Sequence, residues 1–183
     1  RYALGYMSIV DCVPYLDVVL DETRLIAQAD EHRVLVLVYQ VLSKDFKAYI
    51  EPSVLQIISK KAQNIIRDQL KLMSAAGEVN RALTDARIPH VFLKGPSLNQ
   101  ILWGRRMMRY SGDIDVLVKP RDVFKAHHAL NAIQFKSECS ERTLRFHQHL
   151  YRLSTKRDVS YWREGFSKRV ELHWKNAICI RRN

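Results

Sequence analysis

The chain has 183 residues, of which 47% are hydrophobic, and its 30 Lys and Arg against 19 Asp and Glu give a formal net charge of +11. This apolar content supports a buried core and excludes a disordered basic tail and a collagen-like repeat. The longest apolar stretch, residues 34–42, is about half of the ~20 residues that a membrane-spanning helix needs, so we expect no membrane partner. Cys12, Cys139 and Cys179 are widely spaced, which favours free thiols in a reducing compartment and predicts a cytoplasmic protein.

The first half of the chain predicts helices. Residues 22–42 carry apolar side chains at close to helical spacing and predict one helix. A second pattern begins at Ser53 and predicts one long helix that ends near Arg87. Gly77 lies inside this pattern and indicates a kink or a close contact. We therefore predict an N-terminal helical region over residues 1–87.

The periodicity changes after Pro89, and residues 88–183 predict a mixed region in which strands alternate with turns and helices. In chain order, the pattern predicts a strand over 90–93, a turn at 94–97, a helix over 98–103, a basic loop over 104–112, a strand over 113–118, a helix over 121–133, and further strands over 135–137, 144–153 and 170–174.

The excess positive charge lies entirely in this second half. Residues 1–93 carry 11 basic and 11 acidic side chains, whereas residues 94–183 carry 19 and 8. This asymmetry indicates either a polyanionic partner, such as nucleic acid or the phosphates of a nucleotide, or a solvated basic surface without a partner.

Paired carboxylates mark the strand over 113–118. Because side chains alternate along a strand, Asp113 and Asp115 share one face and their apolar neighbours share the other. Adjacent carboxylates repel each other unless a hard cation lies between them, which predicts a magnesium site. Glu171 and His173 share a face in the same way, and Glu171 becomes a third acid if the two strands are neighbours.

The turn before this strand is a candidate phosphate site. Lys94-Gly95-Pro96-Ser97 lies between a predicted strand and a predicted helix, where free backbone N–H groups favour an anion. Gly95 permits close backbone approach and Lys94 adds a positive charge, whereas Pro96 removes one N–H donor.

Together these segments resemble the polymerase-β-like nucleotidyltransferase superfamily, in which a Gly-containing turn precedes an Asp-x-Asp strand and a later strand supplies a third carboxylate. The segments are VFLKG at 91–95, RYSGDIDVLV at 109–118 and VELHW at 170–174. More narrowly, they resemble a bacterial family of nucleotidyltransferases that share an LKG turn, an R-x-x-G-D-I-D-x-L-V strand and a (D/E)-L-H-W strand. The superfamily's usual Gly-Ser pair is replaced here by the Lys94–Ser97 turn.

The resemblance implies an α+β, polymerase-β-like nucleotidyltransferase fold for residues 88–183, a small mixed sheet flanked by helices, with further C-terminal helices absent from the sequence. It implies magnesium-dependent transfer of a nucleoside monophosphate from a nucleoside triphosphate, for example ATP, to an acceptor hydroxyl, with release of pyrophosphate. Asp113, Asp115 and Glu171 would be the catalytic residues and would bind two Mg²⁺ ions.

The resemblance also implies nucleotide contacts. Lys94, Gly95 and Ser97 would face the phosphates. Arg109 would lie near the phosphates or support the turn before Asp113, and His173 would contact the nucleotide or orient a carboxylate.

Several alternatives stay open at this level. The acceptor is RNA, a protein side chain or a small molecule, and a catalytically silent module that binds nucleotide or nucleic acid is the alternative to an enzyme. Trp103, Trp162 and Trp174 either stack on a base or are buried. His147 and His149 are a candidate metal pair without an evident third ligand. We expect His127 and His128 to be one packed and one exposed residue.

Overall fold

The computed structural model describes residues 22–95, 110–137, 139–144 and 158–174. Within these ranges the chain is α+β, as predicted, with four α-helices and a four-stranded mixed sheet. The elements are α1 (Glu22–Glu31), α2 (Leu35–Asp45), α3 (Pro52–Asp85), β1 (His90–Phe92), β2 (Asp113–Val118), α4 (Val123–Ala132), β3 (Asp158–Arg163) and β4 (Phe166–His173).

Two helices replace the single helix predicted over residues 22–42, so that prediction was wrong in its continuity. α1 ends where Arg33 adopts a φ of 58°. The Arg33 N–H donates to the carbonyl of Asp30 at 2.9 Å, and the Val34 N–H donates to the carbonyl of Ala29 at 2.8 Å. These bonds form a Schellman motif, which ends a helix by satisfying its last carbonyls. The apolar spacing continues across the break, so the pattern alone does not reveal it.

The long helix predicted from Ser53 is confirmed as α3, which has 34 residues. It begins at Pro52, a residue favoured in the first helical turn because its missing N–H has no partner there. It ends with a second Schellman motif at Arg87, whose φ is 54°. Of the two alternatives for Gly77, a close contact was wrong, because apart from its own helix backbone no described atom lies within 4 Å of the position that a Cβ would take, and a kink stays a prediction.

The described chain divides into two compact units. The first contains residues 22–70 and Tyr110, and the second contains residues 71–95 and the described residues from 111 onward. In the first unit, α1, α2 and the N-terminal part of α3 share one apolar cluster. The domain division at residue 87 stays a prediction, since a compact unit is not necessarily a segment that folds alone.

The sheet has the strand order β1-β2-β4-β3. β1 and β3 pair antiparallel with β2 and β4 respectively, and the central pair β2 and β4 is parallel. Glu171 joins the acids only if these two strands are neighbours, and they are. Among the described residues, none of the helices has both the length and the apolar composition needed to cross a membrane.

One face of the sheet forms the core of the second unit. Side chains of β2, β3 and β4 pack there against the C-terminal part of α3 and against α4. The residues with no solvent exposure include Leu72, Val79, Leu83, Ile114, Val116, Val123, Leu130, Tyr161, Val170 and Leu172. Burial of this face leaves the alternate side chains of the strands, which are mostly polar, on the opposite face.

The remaining element predictions have mixed outcomes. The strand over 113–118 has the predicted bounds, and the last strand begins at Phe166 rather than at residue 170. β3 was not predicted. Leu144 lies in a helical turn rather than in the strand predicted over 144–153, and the rest of that segment, like residues 98–109, lies outside the described residues.

Candidate active site

The polar face of the sheet brings together charged side chains from the parallel strands β2 and β4. Asp113 is in register with Arg169, and Asp115 is in register with Glu171. His173 follows Glu171 by two residues and therefore lies on the same face. The alternation that buries the apolar residues of both strands thus places these polar residues side by side.

Asp115 is the centre of this group. Its side chain is 0% exposed, and its Oδ1 accepts hydrogen bonds from Lys94 Nζ at 3.2 Å and from His173 Nε2 at 3.1 Å. Its Oδ2 is also buried and has no hydrogen-bond partner among the residues that the structure describes. A buried oxygen without a donor destabilises a fold by roughly 1–3 kcal/mol. This atom is therefore a natural ligand for a cation.

Glu171 completes the acidic pair. Its Oε1 forms an ion pair with Arg169 Nε at 2.8 Å, and its Oε2 lies 3.6 Å from His173 Nε2. Donor atoms of Asp115, Glu171 and His173 all lie within 4.8 Å of one another. Carboxylate oxygens are the ligands that Mg²⁺ and Mn²⁺ prefer, and an imidazole nitrogen also suits several divalent metals. These residues, with the unpartnered Asp115 oxygen, fit a divalent cation.

The charges in this group are mutually stabilised. The hydrogen bond from His173, supported by Lys94, holds the pKa of Asp115 below its usual range despite the burial of the carboxyl group. The same hydrogen bond raises the pKa of His173 against the opposing effect of burial. The carboxylate of Asp115 is therefore ionised at neutral pH and available to a metal.

The turn at Lys94 and Gly95 is held against the start of β2. Gly95 has a φ of 68°, a conformation that favours glycine. A Cβ at this position would lie 3.1 Å from the backbone carbonyl oxygen of Asp113. The N–H of Leu93 donates to the carbonyl of Asp115 at 3.0 Å. Glycine thus allows the turn to approach the acidic strand and brings Lys94 to Asp115.

The predicted site residues are only partly brought together. Asp115, Glu171, His173 and Lys94 meet, whereas Asp113 is not a member of the group of donor atoms within 4.8 Å. Ser97 and Arg109 lie outside the described residues, as do His147 and His149.

Sequence reasoning missed Arg169, which forms an ion pair with Glu171. Its position two residues before Glu171 was the available signal, because alternate residues of a strand share a face. Of the aromatic and histidine candidates, Trp174 and His127 are buried and Trp162 is exposed. His128 is exposed, which confirms the expected contrast with His127, and Trp103 lies outside the described residues.

Comparison with protein families matches residues 19–178 to a family described as uncharacterised nucleotidyltransferase. The chain belongs to this nucleotidyltransferase family. The four-stranded mixed sheet with its helices is consistent with a nucleotidyltransferase fold. No curated protein and no solved structure matched the chain.

Proposed function

We propose that this nucleotidyltransferase transfers a nucleoside monophosphate from a nucleoside triphosphate to an acceptor hydroxyl in a reaction that depends on Mg²⁺. The acceptor oxygen forms a bond to the α-phosphorus while the bond from that phosphorus to the pyrophosphate oxygen breaks. Pyrophosphate leaves, and the proton of the hydroxyl passes to a carboxylate of the site. RNA, a protein side chain and a small molecule are all candidate acceptors.

The single observation that carries this proposal is the Asp115 carboxylate. It is fully buried and leaves one oxygen without a hydrogen-bond donor in the described part of the chain, within reach of Glu171 and His173. A purely structural aspartate at such a position would have both oxygens satisfied. In a family of nucleotidyltransferases, a metal that meets the triphosphate is the ligand that best explains this arrangement.

Each residue then has a distinct role. Asp115 and Glu171 would hold the metal, with Asp113 as a further ligand from the same strand face. Bound Mg²⁺ would neutralise the charge of the triphosphate oxygens. Lys94, whose side chain is 66% exposed, would move from Asp115 to a phosphate oxygen. Gly95 keeps the turn close to β2, and Ser97 and Arg109 are candidate phosphate contacts.

Glu171 is the candidate acceptor of the hydroxyl proton. It lies at the half-buried rim of the group, whereas Asp115 is fully buried. Arg169 and His173 hold the Glu171 carboxylate from two sides and would orient it. Positioning of the two substrates and neutralisation of charge would supply most of the rate.

The test is transfer of label. The protein is incubated with Mg²⁺ and each α-labelled nucleoside triphosphate in a cell lysate, and labelled RNA, protein and small molecules are separated and identified by mass spectrometry. We expect one acceptor to be labelled by the natural protein and not by Asp115→Asn. Asp85→Asn, which removes an exposed carboxylate at the end of α3, is the charge-matched control and should retain transfer.

Two outcomes would contradict the proposal. Label transfer that survives Asp115→Asn would separate the activity from this site. Nucleotide binding without transfer to any acceptor would favour the silent binding module instead.

A further inference from the structure

An exposed tryptophan lies on β3, the strand that pairs with β4 beside the acidic group formed by Asp115, Glu171 and His173. Trp162 of β3 is 45% exposed, whereas its neighbour Tyr161 is fully buried in the core. Trp162 lies where the pairing of β3 with β4 shifts register, and its exposure beside the buried Tyr161 shows that its side chain points away from the core. A large aromatic side chain with nearly half of its surface in solvent is a candidate ligand platform.

Lys136 lies directly beside this tryptophan. The N–H of Lys136 donates to the Trp162 carbonyl at 2.7 Å, and the Trp162 N–H donates to the Lys136 carbonyl at 2.8 Å. Residues that exchange both hydrogen bonds in this way lie opposite each other with their side chains on the same face. The side chain of Lys136 is exposed, and its positive charge therefore lies on the same face as the Trp162 ring.

The backbone that carries this pair is firmly held. Phe135, next to Lys136, is fully buried, and Arg163, next to Trp162, lies over the Phe135 ring with 4.5 Å between guanidinium carbon and ring centroid. Arg163 also forms an ion pair with Glu78. The guanidinium of Arg163 is therefore engaged by Glu78 and Phe135, and we assign Lys136 as the cation of the site.

The pair lies close to the acidic group. Ser160 is in register with Glu171, and Trp162 follows Ser160 by two residues, where the pairing of β3 with β4 shifts register. Paired Cα atoms lie up to about 5.5 Å apart and a strand rises about 3.3 Å per residue, so the backbone positions of Trp162 and Glu171 are separated by at most roughly 12 Å. In ATP or in an oligonucleotide, one phosphate could therefore lie at Lys136 while another reaches the acidic group.

A cavity of about 670 Å³ opens at this edge, lined by Gln134, Lys136, Trp162, Arg163 and Glu164. Its volume lies in the range of small-molecule sites, roughly 300–1,000 Å³. An aromatic face, an ammonium group and a carboxamide match the three parts of a nucleotide: the π face of the base, the phosphate and the polar base edge.

We propose that Trp162, Lys136 and Gln134 form a binding site for an unpaired nucleobase and its phosphate. The base stacks on the Trp162 indole, the Lys136 ammonium pairs with the phosphate, and the Gln134 amide meets the base edge. The inference rests on the proposed function for its choice of ligand, because a nucleotidyltransferase handles a nucleotide donor and one candidate acceptor is RNA. The same chemistry is presented by the base of the donor and by an unpaired base of an RNA acceptor.

The test compares two probes, ATP with Mg²⁺ and a single-stranded hexameric oligoadenylate. Affinity is measured by calorimetry for ATP and by fluorescence anisotropy for the oligonucleotide. We expect Trp162→Leu to weaken binding of at least one probe by roughly 5- to 100-fold, the range of base stacking on an aromatic side chain. Trp162→Phe should retain most of the affinity. Lys136→Met should reduce the salt dependence of oligonucleotide binding by about one phosphate contact.

Tyr49→Leu is the matched control, since Tyr49 is an exposed aromatic residue (58%) in the other compact unit. A loss confined to ATP assigns the site to the donor base, and a loss confined to the oligonucleotide assigns it to an acceptor base. Unchanged affinity for both probes in a Trp162→Leu protein with an unchanged melting temperature would overturn the site. Label transfer by the natural protein is measured separately. If the protein transfers no label but Trp162→Leu still weakens binding, the proposed enzyme activity is refuted and the proposed binding site is supported.

Discussion

The ammonium group of Lys94 occupies space beside Asp115 that a metal would share. Lys94 Nζ lies 3.2 Å from Asp115 Oδ1. A divalent cation on the same carboxylate would be repelled by this charge, whereas a triphosphate would be attracted by it. Lys94→Met should therefore have opposite effects on two ligands: binding of the metal alone becomes stronger, and binding of the nucleotide becomes weaker.

The size of both effects follows from exposure. Two unit charges 4 Å apart interact by about 1 kcal/mol in water. Because the Lys94 side chain is 66% exposed, we assign its pairing with Asp115 the value of a solvent-screened ion pair, about 0.2–1 kcal/mol. Its removal should strengthen metal binding by roughly 1.5- to 5-fold. Loss of a charged hydrogen bond to a phosphate, worth about 1.5–3 kcal/mol, should weaken nucleotide binding by roughly 10-fold or more.

The assay is isothermal titration of the nucleotide-free protein with Mn²⁺, followed by titration with a non-hydrolysable ATP analogue at saturating Mg²⁺. Lys125→Met removes the same charge from an exposed position on α4, whose packing is against the opposite face of the sheet, and should change neither affinity beyond the measurement error. A Lys94→Met protein that binds Mn²⁺ less tightly, or binds both ligands as the natural protein does, would refute the reasoning.

Three further predictions concern stability. In denaturant titrations, Gly95→Ala should lower the free energy of unfolding by more than Gly165→Ala does. Both residues have a positive φ, which costs an alanine roughly 1–2 kcal/mol, but only a Cβ at Gly95 would meet a backbone atom at 3.1 Å. Equal losses would contradict the close approach of the turn to β2. Gly77→Ala should raise the free energy of unfolding by about 0.5–1 kcal/mol, since the helix position is open and alanine is the better helix former, and a loss would indicate a contact there. Burial lowers the pKa of the His127 imidazole, so this side chain binds a second ring proton more readily in the unfolded chain than in the folded one. The free energy of unfolding should therefore fall as the pH falls below the ordinary histidine pKa of 6.5. His127→Gln should lose less stability than the natural protein between pH 7.5 and 5.5 in thermal melts, and equal losses would contradict this assignment.

The neutral state of His127 also follows from its partners. Asn131 Nδ2 donates to His127 Nε2 at 2.8 Å, which leaves the Nδ1 proton to donate to the Tyr161 hydroxyl at 3.1 Å. A second proton on the ring would face the Asn131 amide donor. Gln at position 127 avoids this conflict because it does not titrate.

Periodicity and turn chemistry were sufficient for much of the fold. The strand over 113–118 and the helix α3 follow from patterns that are local in the chain, where burial of one face imposes a period of 2 or 3.6. The same reasoning placed Asp113 with Asp115 and Glu171 with His173, since residues two apart in a strand share a face. The helix break at Arg33 was not predicted, because an arginine in the left-handed conformation does not mark a helix end in the sequence as a glycine at the same place would.

Which of these residues meet was decided by tertiary structure. That β2 and β4 are parallel neighbours fixes the register of Asp115 with Glu171, and no local pattern specifies a pairing between segments more than fifty residues apart. The turn at Gly95, where φ is positive, brings Lys94 to Asp115. Burial of Asp115 leaves one of its oxygens without a hydrogen-bond donor in the described chain. β3 and its exposed Trp162 also emerge only from pairing with β4. The sequence alone determined α3, β2 and the chemical groups that they carry, because those depend on neighbours along the chain. The composition of the site depends on contacts across the sheet, which exist only after the strands have paired.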